Sequence, residues 1–561
     1  MFHTLRGRGQ KGVIMKKKVL SLFLAASMTA ALLSGCGSSG SGSAASTAAP
    51  AAETEAAAAG TESAEAASTE APAADAAAGG TVVIDRTLDS EILDPVMTAN
   101  NCDIWVLNMM VEGLVTSSDD GQEIIPAVAD KWDVSDDNLT YTFHIRDGIK
   151  FSDGNPVTAE DCVYSVQRAK DAEGPWLGML DMVDTIEDGG DGTVVIKLKE
   201  ASPSFLSALA MFDCGILEKS YCEEVGDDGL AEKPIGTGPF MLQEWTKGDR
   251  MVFVKNPYYW EEGKPLVDEV DFDVVTDDNT AIMQLESGQV DAVSAVPYAR
   301  LAELEAADGI TVTKFDSTDV RFILINCQGQ YTSDKKVRQA LALATDKAAI
   351  NTAVFAGEAQ LAETFLAPAI PYSYQDLPAS TVDTDKAKEL LADAGYPNGF
   401  SITVQVGSGD TAVLQIATLL QQQWAAIGVT LDIQQIDLAT ARQNWKDGNY
   451  DVFISNMTSD MTDISELAGL VTIADQAHCW RTYWNDEDQQ KAEALTAAGN
   501  AEMDETKRAD DYKQMQEIMA DAVPLIPLCY VPFTFAASDK LSGYSQTPLG
   551  IYNFKNMSKA E

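Results

Sequence analysis

Alternating apolar and polar positions predict that folded structure begins at Thr81. The segment TVVIDR that starts there is typical of a strand, and residues 100–115 carry apolar side chains at helical spacing. Residues 139–145 alternate again as a half-buried strand. Thr158, with an acidic residue three positions later, forms a variant of the capping box and predicts a helix from Ala159. A strand followed by a helix at the start of the folded region favours an α/β lobe.

An apolar stretch near the start of the chain predicts export. Val19 to Leu33 follows three lysines and is too short for a stable membrane span, so residues 15–35 are predicted to be a signal peptide. Leu33-Ser34-Gly35-Cys36 resembles a bacterial lipobox, in which cleavage precedes the cysteine and its sulfur carries a diacylglyceryl group. The alternative is an ordinary signal peptide that contains a cysteine. Residues 1–14 precede a natural start at Met15 and are predicted to be a non-native upstream extension.

The segment that follows the lipidated cysteine lacks the side chains that a folded core needs. Apart from Cys36 itself, residues 36–80 consist of Ala, Ser, Thr, Gly and Pro with scattered acidic residues. Such a composition predicts a disordered linker, since it cannot bury enough apolar surface to offset the cost of ordering the chain. We expect this linker to act as a flexible leash, or as a spacer with no selected length.

Length and charge narrow the possible functions. The chain has 561 residues, enough for two or three domains after the export segment, and 45% of them are hydrophobic. The formal net charge is -47, from 86 acidic and 39 basic side chains, and no basic cluster follows Cys36. This balance argues against nucleic-acid binding and against a protein face that binds an anionic membrane. Membrane attachment would therefore come from the lipid.

Cysteine and histidine usage argues against metal and triad chemistry. Of 8 cysteines, an odd set remains if Cys36 is lipidated, and their spacing contains no CxxC pair. Cys214 and Cys222 are close enough in sequence to form a disulfide, but buried free thiols are the alternative. The sequence has only 3 histidines. We therefore expect no cofactor, no metal site and no catalytic residues.

A co-linear set of segments carries a resemblance to a known family. The block at residues 126–171 looks like the signature of the peptide/nickel-type extracellular solute-binding proteins of ABC importers. Further matching segments are Pro234–Phe240, Lys255–Trp260, Leu285–Asp291, Lys336–Leu341 with Asp346–Lys347, Lys386–Tyr396 and Val523–Tyr530. The glycines of Pro234–Phe240 predict a turn with special dihedral angles, and Gly395 is predicted to cap a helix. The resemblance extends from Thr81 to the C-terminus.

The resemblance implies an α/β, two-lobed periplasmic-binding-protein fold with a hinge between the lobes and an extra inserted domain. Lobe one is expected at residues 81–325 and 535–561, with the small insertion at about 116–233, and lobe two at 326–534. Closure of the hinge on a ligand would couple capture to a shape change that a partner can detect.

The resemblance also points to a ligand site after residue 451. In peptide-binding relatives this stretch ends a strand and carries Gly-Trp, then an Asp that pairs with the α-ammonium of the peptide. Asp460 matches that Asp, whereas Asn456 and Met457 replace Gly-Trp. A solvated loop aspartate is the alternative. Gly407 stands where dipeptide-binding relatives have an Arg for the ligand carboxylate, which argues against short peptides held at both termini.

Two further residues are weaker candidates for the cleft. Trp176 is a candidate stacking plate and Arg481 a candidate partner for an anion. Their alternatives are a packed aromatic side chain and a surface ion pair.

The predicted function is a monomeric, lipid-anchored binding protein on the extracytoplasmic face of the cell membrane. It would deliver a peptide or similar amine-bearing solute to the permease of an ABC importer. A metal chelate, a sugar or another small molecule is the alternative ligand. An exported hydrolase is disfavoured because GxSxG and HExxH motifs are missing, and a surface adhesin because internal repeats are missing.

Overall fold

The structure is a computed structural model that describes residues 79–474 and 482–560. Three larger β-sheets, each with packed helices, organise it. The predicted signal peptide, Cys36, nearly all of the predicted linker and Arg481 lie outside the described residues. The strands are β1 Thr81–Arg86, β2 Val115–Ser117, β3 Ile124–Pro126, β4 Ala129–Val134, β5 Thr140–Ile145, β6 Val183–Gly190, β7 Thr193–Leu198, β8 Phe240–Thr246, β9 Arg250–Lys255, β10 Glu269–Val274, β11 Ala292–Ser294, β12 Ile310–Phe315, β13 Val320–Ile325, β14 Gln360–Leu361, β15 Phe400–Gly407, β16 Val429–Ile436, β17 Val452–Met457, β18 Leu525–Tyr530, β19 Phe533–Ser538, β20 Leu541–Ser542, β21 Ser545–Gln546, β22 Tyr552–Asn553 and β23 Ser558–Lys559.

The helices alternate with these strands along most of the chain. They are α1 Asn101–Met110, α2 Ala159–Asp171, α3 Phe205–Leu209, α4 Lys219–Glu232, α5 Asp278–Glu286, α6 Tyr298–Glu305, α7 Lys335–Leu343, α8 Lys347–Val354, α9 Thr384–Asp393, α10 Thr411–Ala425, α11 Leu438–Lys446, α12 Ser465–Thr472, α13 Glu487–Ala501 and α14 Glu505–Ala522, with a 3-10 turn at Phe212–Cys214. None of the helices in the described ranges combines the length and apolar character needed to cross a bilayer.

The two largest sheets have separate cores. One has the strand order β12-β19-β11-β1-β10-β9-β8, and the other β14-β18-β13-β17-β15-β16. The first core is built around residues such as Phe253 and Phe272, and the second around residues such as Ile323 and Trp424. Between them the chain crosses at residues 316–319 and 531–532, and the Val531 amide donates to the Asp319 carbonyl at 3.0 Å. The molecule therefore has two lobes joined by two hydrogen-bonded crossing segments.

The strand β13 changes where the lobe boundary falls. Residues 320–325, predicted to belong to lobe one, pair antiparallel with β17 and β18 of the second sheet. The assignment of β13 to the second sheet depends on pairing with strands that are distant in sequence. The local pattern of apolar and polar residues carries no information about that pairing. We therefore propose that lobe two begins after the crossing at 316–319 and ends before that at 531–532. A four-stranded sheet, β4-β5-β7-β6, falls inside the predicted insertion at 116–233.

Several local predictions are confirmed. The strands predicted from Thr81 and at 139–145 correspond to β1 and β5, and α2 begins at Ala159 with both hydrogen bonds of the capping box. After α9, the Tyr396 amide donates to the Leu391 carbonyl at 2.8 Å, and Gly395 has a φ of 92°. This is the Schellman arrangement that glycine favours, because a side chain at positive φ is strained.

The glycines of the segment 234–240 act differently from the prediction. Neither Gly236 nor Gly238 has a left-handed φ. A Cβ at either position would lie 2.5 Å from a backbone carbonyl oxygen at the end of α1, that of Met110 or Met109. These positions are small because α1 approaches the backbone closely.

Glu112 links two of the family segments. Its carboxylate accepts hydrogen bonds from Thr237 Oγ1 at 3.0 Å, Tyr259 Oη at 3.1 Å and Trp260 Nε1 at 3.0 Å. The segments 234–240 and 255–260 therefore converge on one carboxylate just after α1.

The cysteines of the described ranges are unpaired. Cys214 and Cys222, considered as a possible disulfide, are both free and buried. Cys214 packs in the core of the four-stranded sheet, whereas Cys222 packs in that of the seven-stranded sheet. Their side chains therefore serve two different cores, and the alternative of buried free thiols is the correct one.

Candidate functional site

The site is built around the turn at residues 458–464, which joins β17 to α12. The amide of Ser459 donates to Thr318 Oγ1 in the first crossing segment at 2.8 Å. Asp463 accepts two hydrogen bonds, of 2.7 and 2.8 Å, from Arg508 of α14, and both side chains are about 95% buried. The turn is thus held by the crossing segment on one side and by a buried ion pair on the other.

The same turn contacts lobe one. Asn101 of α1 donates to Thr458 Oγ1 at 3.2 Å, and the hydroxyls of Ser117 and Thr462 are 2.7 Å apart. Met461 is 2% exposed because it packs into the core of the four-stranded sheet, which also contains Cys214. The turn therefore lies between the two lobes.

Asp460, the predicted ammonium partner, is a partly exposed residue of this turn. Burial, with the neighbouring carboxylates of Glu466 and Asp213, raises the pKa of Asp460 well above its usual range. Burial also raises the pKa of Glu466, and that of Asp213 to about 7. In the described ranges, neither lysine nor arginine forms an ion pair with any of the three. A positively charged group placed here would favour the ionised form of Asp460.

Asn456 and Met457 do not form one wall. Successive side chains of a strand point to opposite faces of its sheet. Met457 packs against the core that includes Phe453, whereas Asn456 is exposed and lies 3.5 Å from Asp319 Oδ2. Only one of these side chains can therefore share a face of the sheet with a ligand.

Trp176 lies close to this region as a partly buried aromatic side chain. Its Nε1 donates to the Thr98 carbonyl at 2.8 Å, and its ring packs edge-on against Phe212 at 5.4 Å. Phe212 directly precedes Asp213, so Trp176 supports the 3-10 turn that contains Asp213. Its role as a stacking plate stays a prediction, as does that of Arg481.

Sequence reasoning missed Asp213 and Glu466. Asp213 lies far from Asp460 in sequence, in a segment with no motif, so only folding brings the two into electrostatic contact. Glu466 did carry a signal, because it follows Asp460 by only six residues and lies in the first turn of α12. Its Oε2 accepts hydrogen bonds from Ser459 Oγ at 2.6 Å and from the Asp460 amide at 3.0 Å.

A cavity of about 550 Å³ lies beside the crossing segments. Its lining includes Asp120, Gln122, Ser317, Tyr530 and Pro532. None of the predicted site residues in the described ranges lines it, although Ser317 is adjacent in sequence to Thr318, which holds the turn. Across the described ranges, no group of three or more His, Cys, Asp and Glu side chains is arranged to hold a metal ion.

Comparison with known proteins connects this architecture to a family. Residues 123–479 match the model of the bacterial extracellular solute-binding proteins, family 5 Middle. The chain is 29% identical to the dipeptide-binding protein of Escherichia coli (strain K12), over 78% of this chain and 86% of that protein. It is 30% identical to heme-binding protein A of Haemophilus influenzae, over 81% of this chain and 86% of that protein.

A solved structure has the same fold. The periplasmic binding protein DppA of Helicobacter pylori, in complex with the peptide STSA, superimposes with a TM-score of 0.77. It is 26% identical in sequence, and the match covers 86% of this chain and 99% of that one. The predicted two-lobed α/β fold is thereby confirmed. The chain belongs to the bacterial extracellular solute-binding proteins of family 5, as the sequence resemblance indicated.

Proposed function

We propose that this protein is the lipid-anchored binding component of an ABC importer and captures a peptide or similar amine-bearing solute between its lobes. The observation that carries the proposal is the partly exposed Asp460, which has no ion-pair partner in the described ranges and lies in the turn between the lobes. The dipeptide and peptide names of its relatives support this ligand class. The captured solute would be delivered to the importer's permease by a monomer.

The chemistry of Asp460 suits an ammonium group. A carboxylate that burial and acidic neighbours disfavour gains stability when a cation with N–H donors approaches. An α-ammonium supplies both the charge and three donors. Asp460 would therefore bind the amino end of a ligand and orient it in the closing cleft.

Replacement of Asp460 tests this role. Asp460→Asn should weaken binding of peptides with a free amino terminus by about 100-fold, because the charge partner is lost. Titration calorimetry against a peptide library, with N-acetylated peptides alongside, measures the effect. Asp447→Asn, which changes an exposed carboxylate of the same lobe, is the matched control and should bind like the wild type. Equal affinity of wild type and Asp460→Asn would remove Asp460 from the site.

The membrane attachment has a separate test. Cys36→Ala should move the protein from the membrane fraction to the soluble fraction, because the diacylglyceryl group would supply the attachment. Fractionation of cells followed by immunoblotting measures this. Cys102→Ala, a substitution outside the export segment, should leave the protein with the membrane. A Cys36→Ala protein that still sediments with the membrane would contradict the proposed anchor.

The second candidate ligand is a non-peptide solute that is held only at its amino group. Gly407 matches the arginine position of dipeptide-binding relatives, and a Cβ there would lie 2.7 Å from Leu438 Cδ1. Glycine offers no basic group for a ligand carboxylate, which favours solutes that are not held at both ends. Mass spectrometry of material released by denaturing the protein purified from its host would separate the two candidates.

A further inference from the structure

We propose that Asp213, Asp460 and Glu466 together bind a ligand that carries two cationic groups close to each other. The inference rests on the proposed function, because it takes Asp460 as the ligand's amine partner. It adds two residues from other elements and narrows the ligand class from amines to dications. An amino-terminal lysine, which has an α-amino and an ε-amino group, is the simplest peptide form of such a ligand.

The three carboxyl groups come from both lobes. Asp213 belongs to the 3-10 turn Phe212–Cys214, which packs between the cores of the seven-stranded and four-stranded sheets. Asp460 and Glu466 belong to the turn and helix that follow β17 in lobe two. A cation bound among them would be held by both lobes at once, so it would favour the arrangement in which they are together.

Unused hydrogen-bond acceptors mark the site. Glu466 is 7% exposed, and its Oε1 has no hydrogen-bond partner although its Oε2 accepts several. Asp213 is 3% exposed, and its Oδ1 is likewise without a partner. Buried polar atoms are nearly always hydrogen-bonded. Each of these two oxygens therefore needs a hydrogen-bond donor, and no described residue supplies one. With the carboxylate of Asp460, the acceptors outnumber the three N–H donors of a single ammonium.

Charge leads to the same conclusion. Burial and the neighbouring carboxylates of Glu466 and Asp213 disfavour ionisation of Asp460. One ammonium paired with Asp460 would leave the carboxyl groups of Asp213 and Glu466 without a compensating positive charge. Burial raises the pKa of Asp213 to about 7, so its proton can be exchanged for a cation near neutral pH. A second cationic group supplies that compensation.

Matched ligands test the inference. Lysyl-alanine and norleucyl-alanine have the same length, but only the first has a second amine. In titration calorimetry at pH 7.5, the wild-type protein should bind lysyl-alanine at least about 10-fold more tightly than norleucyl-alanine. Asp213→Asn should abolish that preference. Asp184→Asn, an exposed carboxylate of lobe one, is the control and should keep the preference.

Each further result supports or overturns the inference. Cadaverine is a diamine without a peptide bond, and Asp213-dependent binding of cadaverine supports a site for two paired cations. If lysyl-alanine binds and cadaverine does not, the two cationic groups must belong to a peptide. The preference should also grow from pH 6 to pH 8 as Asp213 ionises, the thiol of Cys214 being the other titratable group beside it. Equal, Asp460-dependent affinity for both peptides overturns the dication and leaves the proposed function intact. If the folded protein binds neither peptide nor any other amine, both proposals fail.

Discussion

Asp463→Ala should lower the free energy of unfolding by about 3–5 kcal/mol, because it leaves the Arg508 guanidinium buried without its carboxylate. Both side chains are about 95% buried, and the ion pair is bidentate. Arg508 also donates to the Gly499 carbonyl at 2.9 Å and lies over the rings of Tyr372 and Tyr512. The uncompensated charge therefore cannot turn out to solvent without breaking further contacts.

Urea unfolding followed by tryptophan fluorescence measures this loss. Glu517→Ala is the matched control, since Glu517 is exposed and lies 4.0 Å from Lys513 on the same helix as Arg508. An exposed pair of this kind contributes about 0–1 kcal/mol. Because Asp463 also holds the turn that carries Asp460, ligand affinity should fall in Asp463→Ala but not in Glu517→Ala. A stability equal to that of the control would mean that the buried pair does not hold the turn.

Glu112→Ala should lower the free energy of unfolding by about 3 kcal/mol, because three donors lose their common acceptor. Thr237 is fully buried, so its hydroxyl has no access to water in compensation. The indole of Trp260 and the hydroxyl of Tyr259 lose the same carboxylate. The expected consequence is a loosened contact between α1 and the segments 234–240 and 255–260.

Chemical unfolding and a pH series test the role of Glu112. Glu262→Ala, an exposed glutamate of the neighbouring loop, should change the stability by less than about 0.5 kcal/mol. Burial raises the pKa of Glu112 to about 7, so the folded protein binds its proton more tightly than the unfolded chain does. The stability that Glu112 contributes should therefore fall as pH rises from about 5 to 8. Glu112→Gln lacks this titration, so the stability difference between wild type and Glu112→Gln should narrow over that range. A difference independent of pH would contradict the assigned ionisation.

Local and distant information contribute differently to the proposed ligand site. Asp460 is a candidate from the sequence, because the resemblance matches it to the Asp that follows the Gly-Trp position of peptide-binding relatives. Asp213 could not, because its proximity to Asp460 results from the contact of two lobes. The opposite orientations of Asn456 and Met457 follow from the pleat of β17, which the resemblance by itself does not take into account.

Local physics explains what the sequence by itself determined. The strand from Thr81, the capped helix from Ala159 and the glycine cap at Gly395 each depend on residues within a few positions of one another, so their patterns are complete in the sequence. The tertiary structure alone decided which sheet receives β13, why Gly236 and Gly238 are small, and which side chains meet Glu112 and Asp460. These features depend on groups far apart in the chain, whose distances are set only when strands pair and cores pack.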